Sequence, residues 1–378
     1  MEFLAGFWNY VVVFLIILTV VVFVHEAGHF LVARWNGVRV DVFSIGFGPE
    51  VWGFTAKSGT RWRLSLLPLG GYVKMFGDAD AASATGDDRP MTEAEKQVSF
   101  RHKRVGQRAA IVFAGPAANF IFAIIGLAAM FMVLGQQVTD PVVGQVHAGL
   151  PAEAAGIKAG DRVLAINGTP VERFQDIQRV VRLELERPLS IDLERGGSRL
   201  TVVATPRIIE RKGVFGDMEK VPVLGISVDA SQTRIVKHGP ASAVGLALKE
   251  TETMVTSTFV GIGQMLNGSR DSDELGGPIR IAKGAGDAAQ GGLASVVFYT
   301  ILLSLNLGLI NLFPIPVLDG GHLLFYAVEA ILGRPLGERA QEYGFRIGLF
   351  LVLALMVFAT RNDIVTLPVW DMVKRLLS

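Results

Sequence analysis

Cysteine is absent from all 378 residues, which excludes disulfide scaffolds, thiol nucleophiles and thiolate zinc sites, so any metal must be held by His, Asp or Glu. Charge is scarce as well. Charged residues make up 19% of the chain and nearly cancel, with 36 Lys and Arg against 35 Asp and Glu and a net charge of +1. Without a basic field, nucleic-acid binding drops out. The 50% hydrophobic content is too high for a disordered or collagen-like chain and for an ordinary soluble protein.

What is present is long apolar runs. Residues 10–24 read YVVVFLIILTVVVFV, and with flanks from Phe7 to Val32 the run is long enough to cross a hydrocarbon core of ~30 Å. Further runs extend from Ile111 to Leu134, from about Leu293 to Leu318 and from Phe345 to Ala359, so four spans are predicted. The first ten residues hold no Lys or Arg, unlike a cleaved signal peptide, and the first span is expected to stay in the mature protein. Between spans one and two lie 12 Lys and Arg, with Arg101, Lys103, Arg104 and Arg108 just before span two. The charge rule puts this loop in the cytoplasm. The N-terminus, residues 136–292 and the C-terminal tail are then expected outside, and the loop after span three inside.

Within the first span stands His25-Glu26-Ala27-Gly28-His29, an H-E-x-x-H motif. Histidines at i and i+4 share one helical face and can reach one zinc ion, with Glu26 beside them as a general base. Ionisable groups at membrane depth are costly and usually functional, and three arrive here together. The bland alternative is a polar cap where the helix leaves the bilayer. Two histidines leave a catalytic zinc short of a third protein ligand. Asp319 is the candidate, because it ends an apolar run whose Pro314 and Pro316 break the helix and whose Gly320 and Gly321 allow a turn. His25 and Asp319 also come at matching depth, both toward the cytoplasmic side. An exposed acid closing a helix is the alternative for Asp319.

These residues resemble the site-2 protease family of intramembrane zinc metalloproteases, most closely its bacterial RseP-type members. The likeness rests on HEAGH, on Gly46-Phe47-Gly48-Pro49, on the run from Leu67 to Met75, on Phe113-Ala114-Gly115-Pro116-Ala117-Ala118-Asn119-Phe120, and on Asn311-Leu312-Phe313-Pro314-Ile315-Pro316-Val317-Leu318-Asp319-Gly320-Gly321. It implies that His25, His29 and Asp319 ligate Zn2+ and that Glu26 is the catalytic base. Asn311 would hydrogen-bond the substrate backbone or the developing oxyanion, and Asn306 would either assist or bond a neighbouring helix. It further implies single-span membrane substrates, such as anti-sigma factors or remnant signal peptides, and the bacterial inner membrane with the active site near its cytoplasmic side. His322 is expected to be structural, and His102, His147 and His238 to be surface residues.

Glycine-separated runs between Val40 and Met75 suggest hairpins, and the resemblance implies a β-element dipping into the membrane. Residues 77–97 read as a polar linker. From Pro141 to Val171 a short helix, the Gly160-Asp161 turn, a VLAIN strand and the Asn167-Gly168 turn resemble a bacterial-protease PDZ domain, which would take an extended peptide by strand addition.

The expected fold is therefore a polytopic α-helical membrane protein with about four transmembrane helices, a membrane-associated β-hairpin region and one α+β PDZ-like domain. The expected divisions are span one at 1–34, the β region and linker at 35–110, span two at 111–135, and the PDZ-like domain at 136–209. A linker with an amphipathic helix follows at 210–292, then span three at 293–322 and a loop, span four and tail at 323–378. Two rivals stand beside the protease: a CAAX-processing type of membrane zincin, which would need a downstream Glu ligand, and a non-catalytic PDZ-bearing membrane adaptor, which the intact Glu26 disfavours.

Overall fold

The computed structural model describes residues 2–78, 91–212, 218–228, 233–272 and 275–366. In chain order the elements are α1 (Glu2–Trp35), β1 (Val40–Thr55), β2 (Arg61–Met75), α2 (Glu93–Val98), α3 (Val105–Val133), β3 (Gln136–Thr139), β4 (Gln145–Val146), α4 (Pro151–Ala154), β5 (Arg162–Ile166), β6 (Thr169–Pro170) and α5 (Phe174–Glu184). They continue as β7 (Leu189–Arg195), β8 (Ser198–Ala204), β9 (Arg207–Lys212), β10 (Met218–Val223), β11 (Ile226–Ser227), β12 (Thr233–Val236), α6 (Pro240–Leu266), α7 (Pro278–Gln290), α8 (Leu293–Asn311), α9 (Asp319–Leu332) and α10 (Glu338–Thr366).

Among the described residues four helices are long and apolar enough to cross a membrane, over Tyr10–Trp35, Val105–Val133, Leu293–Asn311 and Arg339–Val365. They coincide with the four predicted runs. The third is shorter than its apolar run. α8 stops at Asn311, residues 312–318 are irregular, and Asp319 opens a separate helix, α9. The expected single element at 293–322 is thus corrected to two helices and a loop. Pro314 and Pro316 supply the physical reason, since neither has an N–H to continue a helical ladder.

The chain forms two units, Met1–Gly126 with Gly276–Asp363, and Leu127–Leu275 with Ile364–Ser378. In the first, α1 buries Ile17 and Val21 against Ala285 of α7, with Val296, Tyr299 and Leu303 of α8 alongside. Small residues make the approach possible, because a side chain at Gly286 would occupy the Tyr10 ring. β1 and β2 form a bent hairpin, in which residues 40–47 of β1 pair with 67–75 of β2 on one side, residues 42–45 also pair with 61–64 on the other, and residues 50–55 pair with 61–65. The root of this hairpin is core, where Val40 and Met75 pack with Ala33, Val38, Phe100 and Ile111. Its other end is a surface of exposed apolar side chains, including Phe47, Trp52, Leu66 and Leu69.

Of the expected linker at 77–97, residues 79–90 lie outside the described residues, and 93–98 form α2. Thr92 and Glu95 cap α2 reciprocally, a T-x-x-E signal that the sequence displays. Asp363 of α10 is fully buried and accepts the backbone N–H groups of Gly277 at 2.8 Å and of Ile279 and Arg280 at 3.0 Å. It thereby satisfies the open donors at the start of α7, as an N-cap would.

In the second unit β6-β5-β7-β8 form an antiparallel sheet, and α5 lays Phe174, Ile177 and Val181 on Leu189, Ile191 and Leu193. Asn167 and Gly168 take φ of 49° and 76° between β5 and β6, the left-handed pair that an Asn-Gly hairpin turn requires. The same core includes Leu224, and β11 pairs with β4 through Ile226↔Val146. The expected boundary at 209 therefore falls inside this module. The chain leaves it as the β9–β10 hairpin and returns with a two-residue strand too short to signal itself in sequence. The expected amphipathic helix is α6, and the other described residues of 210–292 include the end of β9, then β10, β11, β12 and α7 rather than a linker.

Asp161 is buried, with the Arg195 guanidinium on both carboxylate oxygens at 2.6 Å and the Lys158 N–H at 2.8 Å. Burial opposes its ionisation, but these donors outweigh it and hold the carboxyl below its ordinary 3.8. A depressed carboxyl pKa contributes stability that is full above the unfolded value and is lost as pH falls through the folded one. Arg195→Leu should cost this unit about 1–3 kcal/mol at neutral pH, and the difference from wild type should shrink below pH 3.8. Amide hydrogen exchange across β5 and β7 is the measurement, and a difference independent of pH would reject the assignment.

Candidate metal centre

α1 places His25 and His29 one turn apart on one face, with ring centroids 4.8 Å apart and the rings nearly perpendicular. The glycine between them has its own purpose. A Cβ at Gly28 would collide with the Ala114 carbonyl of α3 and with Ala118, so glycine brings α3 against this face. α3 answers with Gly115, where a methyl group would occupy the His29 imidazole. The next residue, Pro116, lies inside α3 and cannot donate to the turn before it.

His29 Nδ1 lies 2.9 Å from the Ile111 carbonyl, also of α3. A carbonyl only accepts, so Nδ1 carries the proton and Nε2 presents its lone pair. His25 Nδ1 faces the Asn119 side-chain amide at 3.2 Å. Both histidines are buried.

Asp319 reaches the same place from the break between α8 and α9. The turn is tight, with Ile315 N–H to Phe313 O at 2.7 Å, Leu318 N–H to Ile315 O at 2.9 Å and Gly321 N–H to Leu318 O at 3.0 Å. Side chains at Gly320 and Gly321 would strike the backbone of Leu312, Phe313 and Ile315, so two glycines are required for α9 to start here. Val317 has φ of 103°, a strained value for a β-branched residue, next to the segment that aims the carboxylate.

The three groups meet. Asp319 Oδ2 lies 3.1 Å from His25 Nε2 and 3.5 Å from His29 Nε2, and the two Nε2 atoms are 3.2 Å apart. Among the described residues His25, His29 and Asp319 are the one group of such side chains arranged to hold a metal ion. Their spacing fits zinc, since tetrahedral bonds of ~2.05 Å put ligand atoms about 3.3 Å apart. Asp319 Oδ2 is also buried without a hydrogen-bond partner of acceptable geometry, and an orphaned buried carboxylate oxygen facing two imidazoles is what a cation would satisfy. One carboxylate with two neutral histidines is a common catalytic zinc set.

Glu26 stands beside this triangle on α1. The Val73 N–H of β2 donates to its carboxylate, and Gly71 lies so close that a Cβ there would press on Glu26 Cγ. The hairpin thus holds the acid against the group formed by His25, His29 and Asp319. Asn311 is the last residue of α8 and Asp319 the first of α9; neither Asn311 nor Asn306 belongs to the ligand group. His322 packs its ring on Phe345 at 5.3 Å, His102 contacts Ser99 at 3.1 Å and His238 contacts Ser242 at 3.3 Å. The sequence by itself assigns no role to Ile111, Gly115 or Asn119. The G-P-x-x-N run was the available signal, but only packing reveals which neighbours these residues serve.

Comparison with known proteins agrees with this chemistry. Residues 13–355 match the profile of Peptidase family M50. A protein of Agrobacterium fabrum named provisionally as a zinc metalloprotease is 46% identical over 95% of this chain and 96% of its own length. A similarly named protein of Rhizobium meliloti is 45% identical over 93% of this chain and 95% of its own. Metalloprotease MmpA of Caulobacter vibrioides is 39% identical over 95% of this chain and 96% of its own. With nearly its whole length matched and a zinc-sized ligand triangle on an H-E-x-x-H helix, this chain belongs to peptidase family M50, the site-2 proteases, and is a zinc metalloprotease.

Proposed function

We propose that the protein is an endopeptidase that cuts single-span membrane proteins within their transmembrane segments, with His25, His29 and Asp319 as zinc ligands, Glu26 as general base and Asn311 as substrate-binding residue. The observation that carries this reading is the triangle of 3.1, 3.2 and 3.5 Å among the three ligand atoms, set on a helix that is apolar for the length of a membrane. Anti-sigma factors and remnant signal peptides are the substrate classes that the family likeness suggests.

Zinc bound there supplies a Lewis acid that acidifies water and polarises the scissile carbonyl. Glu26 takes the proton from the attacking water and passes it to the leaving amine nitrogen, work for which a carboxylate fixed by the Val73 amide is suited. Asn311 donates its side-chain amide to the substrate backbone or to the developing oxyanion, which an amide stabilises without a change of charge. A helical substrate keeps its carbonyls in its own hydrogen bonds, so the segment must unwind before attack.

The basic residues before α3 support a cytoplasmic loop and hence an active site toward that side of the bacterial inner membrane. Exposed apolar side chains on the β1–β2 hairpin support its contact with lipid. The sheet β6-β5-β7-β8 with α5 supports a PDZ-like reading, in which this extracytoplasmic module filters or recruits substrates by their outer segments.

Three outcomes are expected from purified full-length protein. His25→Ala, His29→Ala and Asp319→Ala should each bind much less zinc by metal analysis, and full stoichiometric zinc in the Asp319 variant would remove it from the ligand set. Glu26→Gln should keep zinc and fold yet lose cleavage of a model membrane substrate by ~10²–10⁴-fold or more, the scale of general-base catalysis. Near-normal turnover would assign the base elsewhere. Gly115→Ala leaves every ligand in place but puts a methyl in the His29 ring position, and should weaken zinc binding at least about tenfold. Wild-type affinity in that variant would mean that His29 is not held where the structure has it.

A further inference from the structure

Asn119 sits on α3 with no solvent exposure, and its amide faces His25 Nδ1 at 3.2 Å. In the orientation drawn, the nitrogen Nδ2 faces the ring, and the side-chain oxygen Oδ1 is buried with no donor. The oxygen and nitrogen of an amide are exchanged by a half-turn about its last bond and are assigned from their hydrogen bonds. After that turn Oδ1 accepts the Nδ1–H of His25, and Nδ2 takes the outer position. The proton on Nδ1 leaves the Nε2 lone pair free, aimed at the point that His29 Nε2 and Asp319 Oδ2 also face. In the opposite arrangement an NH2 group donates to Nδ1, and a neutral His25 must carry its proton on Nε2, directed at the other two ligand atoms.

We propose that Asn119 is a positioning residue for the metal centre, its side-chain carbonyl holding His25 in the Nδ1–H tautomer that presents Nε2 as a ligand. The proposal rests on the reading of His25 as a zinc ligand. His29 offers an internal parallel, because the Ile111 carbonyl treats its Nδ1 in the same way. Both outer acceptors come from α3, one from the backbone and one from a side chain.

The surroundings hold Asn119 still. Ser304 of α8 donates its hydroxyl to the Asn119 backbone carbonyl at 3.2 Å. Gly308, one turn further along α8, brings that helix so near that a Cβ there would stand 3.1 Å from Asn119 Cβ. A ligand's outer hydrogen-bond partner acts through orientation, so an immobile partner is the effective kind.

The test is zinc affinity of full-length protein in detergent, by competition with a chelator, for wild type, Asn119→Leu, Asn119→Asp and His25→Ala. Asn119→Leu fills similar space without an acceptor and should weaken zinc binding about 10–100-fold. Asn119→Asp can only accept from Nδ1–H, so it should bind zinc at least as tightly as wild type. If the amide nitrogen faces the ring instead, the aspartate would lose affinity as the leucine does, and the proposal fails. Unchanged affinity in Asn119→Leu also overturns it. Nitrogen-15 spectra of zinc-loaded wild type give a second measurement that needs no folded variant. His25 should show a protonated Nδ1 and a metal-bound Nε2, and an unprotonated Nδ1 rejects the proposal. His25→Ala separates the two levels: strong loss there with none in Asn119→Leu removes only the role of Asn119, whereas wild-type affinity in His25→Ala removes the zinc assignment itself.

Discussion

The backbone of α3 lies so near α1 that Gly28 has no room for a side chain beside Ala114, nor Gly115 beside His29. Imidazole lone pairs in an apolar setting are useful only if aimed, and aiming them takes fixed acceptors on the opposite side of each ring. That contact brings Ile111 to His29 and Asn119 to His25. Helices in lipid gain little from apolar burial against one another, so close approach through small residues is the available source of rigidity. One packing decision therefore serves both helix association and the orientation of the two imidazoles.

Asp319 reaches the two histidines by a different device. Asp319 is not part of a long helix but begins one, after a proline-broken turn with strained backbone at Val317. Irregular backbone is tolerated at this depth when it lies within protein or against a cavity. Here the two glycines after Asp319 let α9 fold back on the residues just before it. A regular span could not have turned its last residue toward α1, which explains why the helix is broken where its composition would let it continue.

Much of this was legible in the sequence, and the rest failed for identifiable reasons. His25, Glu26 and His29 declare themselves because helical periodicity alone puts both rings on one face. Asp319 is readable because prolines and glycines surround a charge in apolar sequence. Hydropathy places the end of α8 too late because it counts residues 312–318 as apolar and is blind to the N–H groups that Pro314 and Pro316 lack. Residue 209 misled because Leu224 and Ile226 join the core from beyond a hairpin, a contact without local signal. Asn119 stayed silent for a similar reason. An asparagine within an apolar helix announces a partner but not which one, and the partner lies on a helix distant in sequence.

Asp363 gives α10 a further property. Among the spans α10 is the least covered, yet it is fastened at two places: its buried carboxylate caps α7, and Gly348 leaves no room for a side chain against Pro316. The first is a pivot built from three backbone hydrogen bonds, and the second is a bearing surface on the turn that ends in Asp319. A helix held at one end and resting on such a turn is a lever arm. A tilt of α10 about Asp363 would press Gly348 on Pro316, and with it on the turn that ends in Asp319.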